Sequence, residues 1–261
     1  EVSELPRSLS CAFEPLRYTS ITVNGSDVAP SGGWWYDRSF QRAEILPFIH
    51  KGKNIITFCL DYFQRDYVYY VLYGGVSESL RNCLCFDTEI ECVYLFGEFS
   101  VKMDKSKFTY GERHSVCYNG TFAIEPAKKE IDVRDIVIDG YPFFGGTVEL
   151  ETTLKYTEGD PSVLRLRGRY ATAEIYVKGK HASSLLFSDT VNLKPYLKHG
   201  ENILTVKLTN ANRNLMGPHH RPDPEPYGVG PNTFSYEKEW KDGTCAQFLP
   251  RYAFVRFGID L

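Results

Sequence analysis

The 261-residue sequence has no run of eighteen apolar residues, so no stretch of it would form a bilayer-spanning helix. It also has no excess of basic charge. Its 30 Lys and Arg stand against 33 Asp and Glu, giving a net charge of −3 and an isoelectric point near 6.1. Neither nucleic acid nor a membrane is therefore an expected partner, since a basic footprint is what would hold either phosphate-rich surface. Zinc-type cysteine pairs are missing as well, and no motif points to a metal or a cofactor. The seven cysteines (Cys11, Cys59, Cys83, Cys85, Cys92, Cys117 and Cys245) are odd in number and scattered, several within apolar strand-like runs. Buried free thiols are the expectation, and they favour a reducing, cytoplasmic compartment. There is no Gly-x-Ser-x-Gly elbow and no series of alternating strand and helix units, which excludes that hydrolase turn and a catalytic (β/α)8 barrel. The opening EVSELPRSLS has no basic n-region, no apolar h-region and no initiating Met, and reads as the start of a piece of a longer protein or of a chain without its leader.

What is present is β-rich and long enough for two domains. Hydrophobic residues make up 43% and aromatics 15%, enough for two cores built from strands. Two stretches match each other. Ile21–Phe58 contains ITVNGSDV and ILPFIHKGKNIITF, and Ile175–Val206 contains IYVKGKHA and NLKPYLKHGENILTV. Pro47, Gly52, Asn54, Ile55 and Thr57 correspond to Pro195, Gly200, Asn202, Ile203 and Thr205, and the first copy is about six residues longer around SGGWWYD. A duplicated domain-sized unit follows. In each copy an alternating strand ends in a glycine turn, at Gly25 and Gly179, where positive φ costs little. LKPYLKHGEN reads as one helical turn, with Pro195 at its start and Gly200 at its left-handed stop. NILTVKLTN alternates again, turning Val206 and Leu208 inward and Thr205, Lys207 and Thr209 to water. Thr147–Leu154 reads as the first strand of the second unit. The run YVYYVLY, Tyr67–Tyr73, is apolar at every position and predicts a central strand covered on both faces. The expected boundary lies near Ile131–Asp139, giving domains 1–135 and 136–261.

The strand, glycine turn and PYLKHGENILTVKL arrangement resembles the jelly-roll, galactose-binding-like sandwich that serves as the sugar-binding domain of glycoside hydrolase family 2 and its relatives. ECVYLFGEFSV (Glu91–Val101), GYPFFGGTVEL (Gly140–Leu150) and RNLMGPHH (Arg213–His220) are similar to the C-terminal, non-catalytic portion of large bacterial glycosidase-like proteins. The resemblance runs from about Ile21 onward. It implies an all-β chain of two tandem antiparallel jelly-roll sandwiches that supports the catalytic domain of the same longer chain, with carbohydrate as a further contact. The alternative it leaves open is a free-standing carbohydrate-binding module.

Hydrolysis of a glycoside needs two carboxylates facing across the bond, and no acid pair stands out among the 33; Glu89 and Glu91 share one predicted strand face. SGGWWYDRSF, Ser31–Phe40, holds the candidate sugar contacts. Trp34 and Trp35 point to opposite sides of an extended segment, so that one indole can be presented to a pyranose while Asp37 and Arg38 take its hydroxyls. A buried aromatic plug competes with that reading, and at least one of the two rings is expected in the core. The Arg213–Pro231 loop holds five of the fourteen prolines together with His219 and His220. Consecutive histidines diverge on an extended backbone, which argues against a shared metal, while the prolines make a stiff connector. Asn24-Gly25-Ser26 and Asn119-Gly120-Thr121 match the glycosylation acceptor pattern.

Overall fold

A computed structural model of the chain describes residues 1–221, 223–228 and 249–260. These are mostly β, arranged in small antiparallel sheets of two to four strands with two short α-helices. They form two compact units. The first comprises Glu1–Lys102 and Ala123–Ala127, and the second comprises Met103–Phe122 and the described residues from Lys128 onward.

In the first unit, strand Ser10–Phe13 is fully buried and pairs with Gln41–Glu44 on one side and Tyr94–Phe96 on the other. A second sheet places Tyr18–Val23 between Ser26–Asp27 and Ile56–Leu60. Alternation along its central strand sends Ile21 and Val23 into a core with Leu9, Cys11, Phe13, Val28, Ala43 and Ile45. Phe13, Tyr18 and Phe58 meet there with ring centroids 5.2–5.6 Å apart.

The run Tyr67–Tyr73 is not the predicted buried strand. It lies in an α-helix, Asp66–Tyr73, with only Val68 and Val71 buried. Tyr67, Tyr69, Tyr70 and Tyr73 are exposed. A short, uniformly apolar run carries no period by which to choose helix over strand. The inward pair at i and i+3 and Asp66 in the first turn, where the helix dipole favours an acid, belong to the helix. Tyrosine tolerates the outward positions because its hydroxyl stays in water.

In the second unit, a four-stranded sheet runs in the order Thr147–Tyr156, Gly200–Thr209, Thr172–Val177, Lys180–Leu185. The expected first strand at Thr147 is present, in register with Gly200–Thr209 over its whole length. Leu204, Val206 and Leu208 face a core that includes Ile175, Val177, Leu193, Phe254 and Phe257. Thr205 is buried rather than solvated, because its strand is paired on both edges and Thr205 lies between Glu151 and Tyr176. A separate sheet sets Ser115–Tyr118 between Phe108–Tyr110 and Tyr252–Val255.

The two repeated stretches fold alike. In each, the first strand turns through two left-handed residues, Asn24-Gly25 (φ 52° and 82°) or Lys178-Gly179 (φ 50° and 75°). Positive φ at both central positions matches the type I′ hairpin turn, whose twist suits flanking strands. The return strands pair in the same register, Val23 with Ile56 and Val177 with Leu204. Where each return strand begins an asparagine ties the chain back on itself, Asn54 just ahead of Ile56–Leu60 and Asn202 near the start of Gly200–Thr209. Asn54 accepts from the His50 amide at 2.9 Å and donates to the His50 and Gly52 carbonyls at 2.7 and 3.0 Å. Asn202 does the same with Lys198 and Gly200 at 2.9, 2.8 and 3.0 Å. Gly52 and Gly200 sit at φ 98° and 92° in these loops. The Pro195 segment makes a single turn, closed by Leu197 N–H to the Leu193 carbonyl at 3.1 Å.

Six cysteines lie among the described residues, all free; Cys245 lies outside them. Cys11 and Cys117 are buried on strands as expected, but Cys59, Cys83, Cys85 and Cys92 are exposed. The 83–92 stretch is a loop that follows the short helix Glu78–Asn82, rather than the strand its apolar residues suggested, which also leaves Glu89 and Glu91 exposed and off any strand face. Burial pushes the Cys11 thiol up to about 11, so it is an inert core group.

Candidate functional site

Ser31–Phe40 forms a loop of the first unit, bent by Gly32 and Gly33 at φ 68° and 74° and by Tyr36 at φ 64°. Neither indole is buried. Trp34 is 55% exposed, and Trp35 is half-buried. Trp35 stacks on Phe96 at 5.0 Å and 18°, with Tyr94 at 5.7 Å and Tyr36 at 5.6 Å. The strand Tyr94–Phe96 thus supports an aromatic surface instead of enclosing a plug. Asp37 turns back into its own loop, where Oδ1 accepts from the Ser39 amide at 2.8 Å and its hydroxyl at 2.7 Å. Those bonds, the amide's first, hold its carboxyl below the usual range. Arg38 is exposed beside it.

The histidines of the proline loop are structural where described; Pro222 and residues 229–231 lie outside the described set. His219 exchanges backbone hydrogen bonds with Ala253 at 3.0 and 2.9 Å, and its Nδ1 lies 3.1 Å from the Pro224 carbonyl. Arg213 anchors the same loop through Glu225 at 3.0 Å. Asp223 pairs with Arg113. Burial, then the Arg213 charge, keeps the His219 imidazole below its ordinary pKa, which suits a neutral packing role. Among the described residues no group of three or more His, Cys, Asp or Glu is placed to hold a metal ion.

A second site, not read from the sequence, lies within the second unit. It is a cleft of about 440 Å3. Tyr110 ends a strand, and the following turn contributes Gly111 and His114. That turn is tight, with Arg113 and His114 both left-handed at φ 52° and 62°. Asp132, Arg134, Asp135 and Ile138 come from a loop, and Arg256 from the chain after strand Tyr252–Val255. The loop is fastened to that chain by Ile136 N–H to the Phe257 carbonyl at 2.8 Å and Ile259 N–H to the Val133 carbonyl at 2.9 Å. Gly258 permits the approach. A Cβ there would lie 2.4 Å from the Val133 oxygen and 2.6 Å from that of Arg134.

Asp135 is 5% exposed at the base of the cleft. Its Oδ2 accepts from the Tyr110 hydroxyl at 3.0 Å and lies 4.0 Å from Arg256 Nε. Its Oδ1 is fully buried. Burial raises its pKa above the ordinary carboxyl value, against the opposing pull of hydrogen bonds from the Tyr110 hydroxyl and the Ile138 amide, of the Arg256 charge and of the Val137 amide. Asp132 behaves in the opposite way. The Arg134 guanidinium grips both of its oxygens at 2.9 and 2.7 Å and, with the Arg134 amide, brings it to about 2. Arg256 is likewise committed, to the Arg134 carbonyl and to Asp260, both at 2.8 Å.

No protein-family model and no curated protein matches this chain. Among solved structures it is similar to a Streptomyces avermitilis α-L-rhamnosidase complexed with L-rhamnose, at 9% identity and a TM-score of 0.25. The match covers 80% of this chain and 21% of that one, so the chain spans about a fifth of that enzyme's length. A similarity of this size decides neither activity nor ligand.

Proposed function

We propose that this chain is a non-catalytic carbohydrate-contacting module, two tandem jelly-roll sandwiches of galactose-binding-like type, which supports the catalytic domain of a longer glycoside hydrolase. The observation that carries the glycan reading is the Trp34–Trp35 surface. An exposed indole beside a second one stacked on Phe96 offers an apolar face for a sugar ring, and Asp37 and Arg38 border it with polar groups. Two-carboxylate hydrolysis in the Asp135 cleft is disfavoured because Asp132 is gripped on both oxygens by Arg134.

The test is titration of the chain with neutral oligosaccharides, followed by tryptophan fluorescence. Trp34→Ala should weaken binding roughly tenfold or more, the equivalent of about 1.4 kcal/mol, with melting unchanged as for a surface site. A Trp34→Ala protein that binds like the parent would overturn the reading. So would turnover of aryl glycosides by the chain alone.

A further inference from the structure

We infer that the helix Asp66–Tyr73 is an interface between two copies of this chain, which pair through its tyrosine face about a two-fold axis. Neither the Trp34–Trp35 surface nor the Asp135 cleft takes part. From Tyr62 to Val93 only Val68 and Val71 are buried, while eleven large apolar side chains are exposed. The stretch is closed at its base, where the Arg65 amide donates to Asp87 Oδ2 at 2.9 Å and the Asp87 amide to Gln64 Oε1 at 2.8 Å. The exposed rings are therefore carried on a fixed excursion of the chain. A contiguous apolar patch of this kind on an ordered element marks a surface that another molecule covers.

Residues three, four and seven apart share one side of a helix, so Asp66, Tyr69, Tyr70 and Tyr73 form a stripe opposite Val68 and Val71. Tyr70 and Tyr73 are 58% and 73% exposed, and Tyr62, Tyr73 and Asp66 all act on the Tyr69 hydroxyl. With Tyr62, Tyr67 and Leu72 beside it, the stripe offers roughly 600 Å2, most of the about 800 Å2 per partner that a stable interface buries. The chemistry of the stripe selects a second copy. An anionic lipid surface would repel it, because residues 61–93 carry six Asp and Glu against Arg65 and Arg81. In an antiparallel pairing the stripe complements itself. With the axis between Tyr69 and Tyr70, each Tyr69 packs on Tyr70 of the second copy, and Asp66 meets Tyr73 of the second copy. The carboxylate accepts and the phenol donates, while the two Asp66 side chains stay about 10 Å apart along the helices. A parallel pairing would set those two carboxylates face to face. Antiparallel helices also bring each N-terminus beside the other's C-terminus, which their dipoles favour.

The experiment is sedimentation velocity of the whole chain from about 1 to about 200 μM, a range that spans the affinity expected of an interface at the low end of the standard size. Reductant is present throughout, because Cys59, Cys83, Cys85 and Cys92 are exposed in the same unit. A monomer should convert to a dimer with a midpoint in the micromolar range. Tyr70→Ser should weaken the dimer about tenfold or more, and Tyr73→Phe and Asp66→Asn several-fold each. All three positions are exposed, so the variants should melt like the parent. Tyr73→Phe combined with Asp66→Asn should lose little beyond either change alone, since both remove one bond. A monomer at every concentration would overturn the proposal, and the patch would then belong to a different partner. A dimer seen only without reductant would overturn it in favour of thiol cross-linking. Association that runs past the dimer, or a dimer unmoved by Tyr70→Ser, would do the same. Full additivity of the last two changes would overturn the antiparallel register.

Discussion

The two copies of the repeated motif share their hydrogen bonds but not their surroundings. In both, an I′ turn reverses the chain and an asparagine side chain closes the loop before the return strand. The return strand Ile56–Leu60 has one neighbour and lies at a sheet edge, whereas Gly200–Thr209 is paired on both sides. Its asparagine differs accordingly, since Asn202 is fully buried and Asn54 half-exposed. The cores differ in the same direction, with eight buried residues described around Ile21 and seventeen around Ile175. Local sequence therefore specifies the turn and the clasp, and the neighbours set how much each contributes to stability.

The largest effect should come from truncating the equivalent inward residues. Ile175→Ala removes a fully buried side chain from the wider core, where neighbours on several elements limit collapse, and should cost about 4 kcal/mol. Ile21→Ala, in the smaller core, should cost about 2–3 kcal/mol. Chemical denaturation monitored by amide exchange in each unit would measure the two separately. Equal losses would show that neighbours do not control the cost, which would break the comparison.

The asparagine clasps should come next. Asn202→Ala removes a fully buried side chain and unpairs the Lys198 amide and two part-buried carbonyls, and should cost about 2–3 kcal/mol. Asn54→Ala exposes the same groups to solvent and should cost about 1 kcal/mol. Exchange of the Lys198 and His50 amides in the two variants would report each loss directly.

The paired Gly-x-Asn turns were legible in the sequence because they are local and repeated, whereas the bonds that each asparagine side chain makes to carbonyls two and four residues back emerge only from the fold. The sheet around Gly200–Thr209 was legible through its alternation. The helix Asp66–Tyr73 was not, since its composition is apolar on every face and only the packing of Val68 and Val71 distinguishes it. The cleft was hidden for a different reason. Tyr110, Asp135 and Arg256 lie far apart in sequence and meet only through strand pairing and the close approach of Gly258. Asp132 and Asp135 also fall in the charge-rich tract around Ile131–Asp139, whose composition suggests a surface connector. For Trp34 and Trp35, alternation gave opposite sides, but the stack on Phe96 that keeps Trp35 out of the core depends on a strand almost sixty positions away.

The smallest effect concerns the turns, where the copies differ by one residue. Asn24 occupies its left-handed position and also uses its side chain, which donates to the Phe48 carbonyl and to Asn54 Oδ1 at 2.8 Å and accepts from the Ile55 amide at 2.9 Å. Those bonds also engage the amide group that the acceptor pattern would offer for glycosylation. Lys178 takes the same backbone shape at φ 50° without that side-chain chemistry, and its amide still bonds the Ile203 carbonyl at 2.8 Å. Asparagine enters the left-handed region more readily than lysine, and Asn-Gly is the favoured I′ pair. Lys178→Asn should therefore stabilise the second unit by about 0.5 kcal/mol, while Asn24→Lys should destabilise the first by about 1 kcal/mol through strain and lost bonds. Paired thermal melts would resolve the two signs. If Lys178→Asn gives no gain while Asn24→Lys still loses, the side-chain bonds of Asn24 carry the difference and the backbone preference does not. If both are neutral, the turn is held by the strands that flank it, and the shared clasp alone defines the repeat.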